Sequence, residues 1–200
     1  PRQFFTGTAP EGLTIADLNG DGVPDLVVAN EGSNDVSIFL GKPGADWDLM
    51  TGLRLRVGEQ PVSTTITDLD HDGIPDILSV NQGSNSVTLL HGLGGGFFDD
   101  QTPPTFSAGL APIRVFAGRF DRAAGLDMVV INSESSDLTF FPQFLSGDTV
   151  SRSIPTGGLN PVAAVTGDFN TDGFDDLVIA HNTDSRITLF NGSANGPILA

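Results

Sequence analysis

Three short segments of this 200-residue chain carry oxygen-bearing side chains at alternate positions. The segments are Asp17–Asp25, Asp68–Asp76 and Asp168–Asp176. Each has Asp or Asn at positions 1, 3 and 5, Gly at position 6 and Asp at position 9. Alternation lets side chains 1, 3 and 5 converge, and glycine permits a sharp reversal of the chain at position 6. The pattern matches the first half of a calcium-binding loop and predicts cation binding.

The predicted ligands are oxygen atoms only, and the seventh residue contributes its backbone carbonyl. They are Asp17, Asn19, Asp21, Val23 and Asp25 in the first loop, Asp68, Asp70, Asp72, Ile74 and Asp76 in the second, and Asp168, Asn170, Asp172, Phe174 and Asp176 in the last. Hard oxygen ligands favour Ca²⁺ over zinc or copper, and Mg²⁺ would demand tighter octahedral geometry. We therefore expect three Ca²⁺ sites. A helical calcium loop is disfavoured because position 12 is not Glu and strand-like sequence follows.

A fourth copy of the motif, at residues 119–127, has lost most of its acidic residues. Arg119 stands at position 1 and Ala123 at position 5, so that only Asp121 and Asp127 remain. We expect this loop to hold no calcium. Either a guanidinium, from Arg119 or Arg122, replaces the cation by pairing with the two aspartates, or neighbouring segments hold the loop.

The motifs belong to a longer internal repeat. They start at residues 17, 68, 119 and 168, a period of about 50 residues, and a Gly-x-x-Pro precedes each of them. An apolar run, a polar turn and a second apolar run follow. The repeats extend approximately over residues 7–57, 58–108, 109–157 and 158–200.

Each repeat has the pattern of four short β-strands. The motif lies between a first strand and a second strand that is apolar on both faces. Four strands in about 50 residues, repeated, are typical of β-propeller blades. The sequence therefore predicts an all-β chain of four four-stranded blades in one domain of 200 residues. The blades form either a closed four-blade ring, with residues 1–6 as a possible closing strand, or part of a larger propeller or assembly.

The motif D-x-[DN]-x-D-G-x-x-D, followed by Gly-Ser-Asn as in Gly32–Asn34 and Gly83–Asn85, resembles the FG-GAP/VCBS repeats. Those repeats are the blades of integrin α-subunit-type propellers and of many secreted bacterial proteins. Residues 94–98, Gly-Gly-Gly-Phe-Phe, resemble the stretch that names the family. The resemblance implies a calcium-binding, usually extracellular propeller of about seven blades, and it implies no particular reaction.

Composition excludes several classes of function. A net charge of −16 argues against a nucleic-acid partner, and no apolar run is long enough to insert into a membrane. The chain has no cysteine. Its histidines, His71, His91 and His181, stand in no metal or triad spacing, and no catalytic motif occurs. We expect no catalytic residue and no enzyme activity in this chain.

The expected function is that of a secreted or cell-surface binding module that attaches to a glycan or protein ligand. One alternative is a structural protomer of an extracellular fibre or surface layer, whose partners are copies of itself, as a homo-oligomer or filament. A second alternative is the accessory propeller of a larger secreted enzyme.

Overall fold

A computed structural model describes residues 3–42, 44, 46–147 and 149–200, with backbone alone for residues 46–53. Strands in antiparallel sheets account for the regular structure, apart from one turn of 3-10 helix at Phe144–Ser146. Among these described residues, no helix has the length and apolar character that crossing a membrane requires. The all-β prediction is confirmed.

The first two blades follow the order of the chain. The first sheet contains β1 (Pro10–Ala16), β2 (Asp25–Asn30), β3 (Asp35–Lys42) and β4 (Asp46–Arg56). The second contains β5 (Pro61–Thr67), β6 (Asp76–Asn81), β7 (Ser86–Gly94), β8 (Phe97–Asp99) and β9 (Thr105–Ser107). Here β8 pairs with the end of β7, and β9 pairs with its start. Together the two short strands occupy the position of the fourth strand.

The last two blades repeat the same order. The third sheet contains β10 (Pro112–Gly118), β11 (Asp127–Asn132), β12 (Asp137–Phe141) and β13 (Arg152–Pro155). The fourth contains β14 (Pro161–Gly167), β15 (Asp176–His181), β16 (Arg186–Asn191) and β17 (Ile198–Leu199). The predicted four β-propeller blades are therefore present.

Every first strand begins with a proline and a shift of register. The pairing with the second strand slips immediately after Pro10, Pro61, Pro112 and Pro161. Proline has no N–H to donate to a ladder and is tolerated at the start of a strand or at a bulge. The shared irregularity places each acidic motif at the same point, directly between the first and second strands.

Contacts divide the chain into two compact units, residues 1–107 and 108–200, each with two blades. The core of the first unit includes Val27, Ile38 and Leu55 from the first blade and Ile77 and Leu90 from the second. These side chains come from alternate positions of neighbouring strands, because successive residues of a strand face opposite sides.

The second unit has an equivalent core. It is built from Val129, Ile131 and Phe140 of the third blade and from Ile179 and Phe190 of the fourth. In β6 and β11 every residue is buried, as expected for strands covered on both faces. In the fourth blade the other face of the sheet is open, and Ile187 is 73% exposed.

Residues Gln3–Thr6 lie outside any strand. The ring of Phe4 packs edge-on against Phe39 of the first blade, with the centroids 5.9 Å apart. The closing strand, the repeat boundaries and the single domain stay predictions.

The core position in β16 provides a test of this packing. Phe190 is fully buried, whereas Ile187 in the same strand is exposed. Phe190→Ala should lower the free energy of unfolding by about 3–5 kcal/mol, because it removes a buried ring and leaves a cavity. Ile187→Ala should change it by less than about 0.5 kcal/mol. Urea denaturation measures both, and equal losses would contradict the assigned faces of β16.

Candidate metal-binding loops

A buried aspartate closes each acidic loop at position 9. Its Oδ2 accepts the backbone N–H of the residue at position 2, and its Oδ1 accepts an N–H at the end of the third strand. The bonds to Oδ2 are Leu18–Asp25 2.7 Å, Leu69–Asp76 2.9 Å, Phe120–Asp127 3.0 Å and Phe169–Asp176 2.9 Å. The bonds to Oδ1 are Gly41–Asp25 2.7 Å, Gly92–Asp76 2.8 Å, Gln143–Asp127 2.9 Å and Gly192–Asp176 2.9 Å. The aspartate thus joins three strands of its blade.

In the first, second and fourth blades, the donor at the end of the third strand is a glycine that packs closely against the loop. A Cβ atom on Gly41 would lie 2.3 Å from the carbonyl oxygen of Pro24, and one on Gly92 would lie 2.4 Å from that of Pro75. Both distances are too short for any side chain. These glycines were not predicted from the sequence, although each follows its position-9 aspartate by 16 residues.

The aspartate at position 1 organises the exposed part of the loop. Asp17 accepts the N–H of Gly20 through Oδ1 and that of Gly22 through Oδ2, each at 2.8 Å. The hydrogen bond from Gly22 is the main cause that holds the pKa of Asp17 below its usual value, although burial opposes it. Asp68 and Asp168 receive the N–H of Gly73 and Gly173 in the same way, at 3.0 Å. The position-1 carboxylate is therefore held in place by the backbone.

At position 5, the carboxylates face their own loop backbone. Asp21, Asp72 and Asp172 each accept the N–H of the residue two positions later, at 2.7–2.9 Å. That residue is Val23, Ile74 or Phe174, whose carbonyl is the predicted ligand. The amide groups of Asn19 and Asn170 donate to Asp21 and Asp172.

Carboxylate oxygens of three aspartates converge in the second loop. One carboxylate oxygen from each of Asp68, Asp70 and Asp76 lies within 4.8 Å of the others. Among the described residues, these three form the group of possible metal ligands that lie this close together. Asp76 is buried and Asp70 exposed, so the cluster opens to solvent. The donors are all carboxylates, which fits a hard divalent cation. This loop could therefore hold a metal ion, and the full ligand sets of the three loops stay predictions.

One histidine of the third strand contacts the second loop. His91, near the end of β7, places Nδ1 3.0 Å from Oδ1 of Asp76 and 3.9 Å from Oδ2 of Asp70. The converging group of possible metal ligands is Asp68, Asp70 and Asp76 and does not include His91. His91 is distant in sequence from the acidic motif, and only the pairing of β6 with β7 brings them together.

The third loop is held without an arginine ion pair. In the described residues, neither Arg119 nor Arg122 forms an ion pair with Asp121 or Asp127, so the predicted guanidinium replacement is wrong. The backbone of Arg119 instead forms two hydrogen bonds with Asp175 of the fourth blade, at 2.7 and 2.8 Å. This agrees with the alternative that neighbouring segments hold the loop.

Asp127 provides a test of the buried contact where the other acidic ligands are missing. Burial raises the pKa of Asp127 above its usual value of 3.8, and the charge of Asp121 adds to the effect. Folding therefore favours the protonated form. The resulting stabilisation is complete below about pH 3.8 and is lost as the pH rises through the folded-state pKa.

Asp127→Asn cannot titrate at this position. The parent chain should therefore gain stability relative to the variant as the pH falls from about 7 toward 3.8. The quantity compared is the difference between their free energies of unfolding. Denaturation of both proteins across this range in chelator measures the difference. Asp121→Asn should reduce the increase, since it removes the neighbouring charge. A difference independent of pH would contradict the raised pKa.

Solved structures with a similar fold include two kinds of protein. BBS1N, crystallised in complex with ARL6DN, matches in two crystal structures, with TM-scores of 0.56 and 0.59 and identities of 14% and 15%. These matches cover 98% and 97% of this chain and 56% of those chains. The V. cholerae biofilm matrix protein Bap1 matches with a TM-score of 0.51 and 17% identity, over 95% of this chain and 30% of its own. This chain thus spans about half the length of BBS1N and less of Bap1, and the likeness concerns the fold.

Sequence comparison gives the family. No curated protein sequence matches the chain. A family model described as FG-GAP-like repeat matches it twice, over residues 17–79 and 68–130, which together make up more than half of its length. Each match begins at the first residue of an acidic loop and extends into the second strand of the following blade. The chain therefore belongs to the family of FG-GAP-like repeat proteins.

Proposed function

We propose that this chain is an extracellular binding module, stiffened by calcium, that attaches to a protein or glycan ligand. The observation that carries the proposal is the convergence of Asp68, Asp70 and Asp76 within 4.8 Å, in a loop whose hydrogen bonds recur in the first and fourth blades. The first, second and fourth loops share the same backbone hydrogen bond to the position-1 aspartate. This similarity supports the same kind of ligand for all three loops.

Electrostatics supports a cation in these loops. Two carboxylates about 4 Å apart repel by roughly 1 kcal/mol in water, and by several times more where water is partly excluded. A divalent cation offsets this repulsion. Calcium sites of extracellular modules bind with dissociation constants of about 10⁻⁴–10⁻³ M, which extracellular calcium saturates.

A crevice beside the loops is a candidate ligand site. It has a volume of about 150 Å³ and lies between the first and second acidic loops. Asp17 and Asn19 line one side, and Gly73, Ile74 and Gly94 line the other. Polar side chains and accessible glycine backbone suit a small polar group such as a sugar hydroxyl or an amide. Calcium binding would fix both walls.

Structural neighbours are compatible with this function, through their fold alone. BBS1N was crystallised with a protein partner, and Bap1 is a biofilm matrix protein. The first is consistent with a protein ligand for this chain, and the second with an extracellular setting.

A second candidate function is that of a structural protomer. Apolar side chains are exposed on the sheet face of the fourth blade, where Val165 is 59% and Ile187 73% exposed, and on β1, where Leu13 is 70% exposed. Exposed apolar sheet faces favour contact with another apolar surface. Copies of this chain would supply one.

Calcium binding is tested by calorimetry on the chain freed of metal. We expect three bound Ca²⁺, and Asp17→Asn should weaken one of these sites at least tenfold because it removes a charge at position 1. The substitution keeps an oxygen that can accept an N–H of the loop. Asp121→Asn in the third loop is the matched control and should leave all three sites unchanged.

The same proteins should differ in thermal stability. A ligand at 100 times its Kd stabilises the folded state by about 2.7 kcal/mol, so calcium should raise the Tm of the control more than that of Asp17→Asn. An absence of heat and of any Tm shift in millimolar calcium would disprove the calcium proposal.

The two candidate functions differ in their solution mass. A binding module should remain a 20.8 kDa monomer as its concentration is raised in millimolar calcium. A structural protomer should form larger species, and Ile187→Asp should reverse their formation, since a charge on the exposed face opposes apolar contact. Light scattering across a concentration series separates the two.

A further inference from the structure

We propose that His181 is a pH-sensitive contact, which loosens the fourth blade from the third when its imidazole is protonated. The residue ends β15 and is only 4% exposed. It occupies the position that is asparagine in the first three blades, namely Asn30, Asn81 and Asn132. This inference does not depend on the calcium proposal, because His181 lies outside the acidic loops.

One side of the imidazole repeats a hydrogen bond of the other blades. Nδ2 of each asparagine donates to the hydroxyl group seven residues later, at 2.9 Å. These hydroxyl groups belong to Ser37, Thr88 and Thr139. Nε2 of His181 lies 2.9 Å from the hydroxyl oxygen of Thr188, the equivalent residue of the fourth blade. The imidazole therefore takes over the donor role of the asparagine amide.

The hydroxyl group of Thr188 determines which ring nitrogen carries the hydrogen. This hydroxyl donates to the carbonyl oxygen of Thr156 at 2.9 Å. Because its one hydrogen is used in that bond, its oxygen accepts from Nε2 of His181. In the neutral ring Nδ1 therefore has no hydrogen and can act only as an acceptor.

The other ring nitrogen, Nδ1 of His181, is buried and has no hydrogen-bond partner. Protonation would place an N–H and a positive charge there without an acceptor, which is costly in a buried position. Burial accordingly holds the pKa of His181 below its usual value of 6.5. Oδ1 of Asn132 is also buried without a partner, but an amide oxygen does not take up a proton in this range.

Two charged groups act on the imidazole. Asp184 lies in the turn after β15 and Arg186 begins β16, and Oδ2 of the first lies 2.9 Å from Nε of the second. Asp184 raises the pKa of His181 and Arg186 lowers it, and both effects are smaller than that of burial. The segment at residues 156–160 and β14, which pack beside the ring, contain no titratable side chain. The burial of the ring is therefore not compensated.

Tight packing keeps the ring from turning toward a new partner. A Cβ atom on Gly158 would lie 2.6 Å from Cγ of His181 and 2.8 Å from its Nδ1, so the ring can move only if this segment moves. The same segment binds the third blade. Thr156 donates its hydroxyl to the carbonyl of Ser136 at 2.8 Å, and Asn160 donates its N–H to the hydroxyl of Ser136 at 3.1 Å. Protonation should therefore weaken this junction between the two blades.

Mild acid should destabilise the folded chain through His181. Because folding favours the neutral ring, the stabilisation is complete above about pH 6.5 and is lost as the pH falls toward the folded-state pKa. His181→Asn introduces the residue of the other blades, which cannot titrate. The unfolding constant of the parent chain divided by that of the variant should rise by up to about tenfold per unit as the pH falls from about 7 to 5. Urea denaturation of the full chain in chelator measures both constants.

His71→Asn is the matched control. It removes an exposed histidine, so the ratio of unfolding constants between the parent chain and this variant should not change with pH. A ratio that is equally independent of pH for His181→Asn would overturn the proposal.

Hydrogen exchange of the parent chain tests where the structure loosens. The N–H of Asn182 donates to the carbonyl of Asn160 at 3.0 Å, and that of Gln82 donates to the carbonyl of Gln60 at 2.9 Å in the second blade. After correction for the intrinsic exchange rate, the protection of Asn182 should fall below about pH 6.5, while that of Gln82 should change less. Equal changes at the two amides would contradict a local effect of His181.

An NMR titration of His181 requires no variant. The neutral ring should carry its hydrogen on Nε2, and its pKa should lie below 6.5. A pKa at or above that value, or a hydrogen on Nδ1 in the neutral ring, would overturn the proposal.

Discussion

The buried position-9 aspartate is the contact on which each blade depends. In all four blades it receives an N–H from its own loop and another from the end of the third strand. One carboxylate thereby joins the first, second and third strands at one end of the blade. A buried carboxylate without such donors would be costly, because burial disfavours its charge. The loops, and the glycines that approach them, are arranged to supply these donors.

The third blade separates this structural role from cation binding. Asp127 keeps both hydrogen bonds although its loop has lost the aspartates at positions 1 and 5. Its pKa is raised by burial, so the contact persists at an electrostatic cost. Asp175, which replaces the proline found at position 8 of the first two loops, holds the third loop from the fourth blade. The position-9 aspartate therefore keeps its contacts within the blade even where the other acidic residues of the motif are missing.

The second loop brings together residues from different parts of its blade. Asp68, Asp70 and Asp76 come from the acidic motif, and His91 comes from β7. The crevice between the first two loops adds glycines from the turn that follows β7. A cation and a polar ligand would thus meet on one surface of the first unit, so that the ion present could influence what this surface binds.

Sequence alone determined the repeat, the strand order within each blade and the positions of the acidic loops. These follow from local patterns: alternate oxygen side chains, glycine at the reversal, and apolar runs of strand length. Tertiary structure decided what depends on pairing between distant strands. It brought His91 to Asp76, placed Gly41 and Gly92 against the loops, and decided between the two alternatives for the third loop in favour of a neighbouring segment that contains Asp175. Strand register sets such contacts, and register depends on how whole strands pack rather than on any one motif.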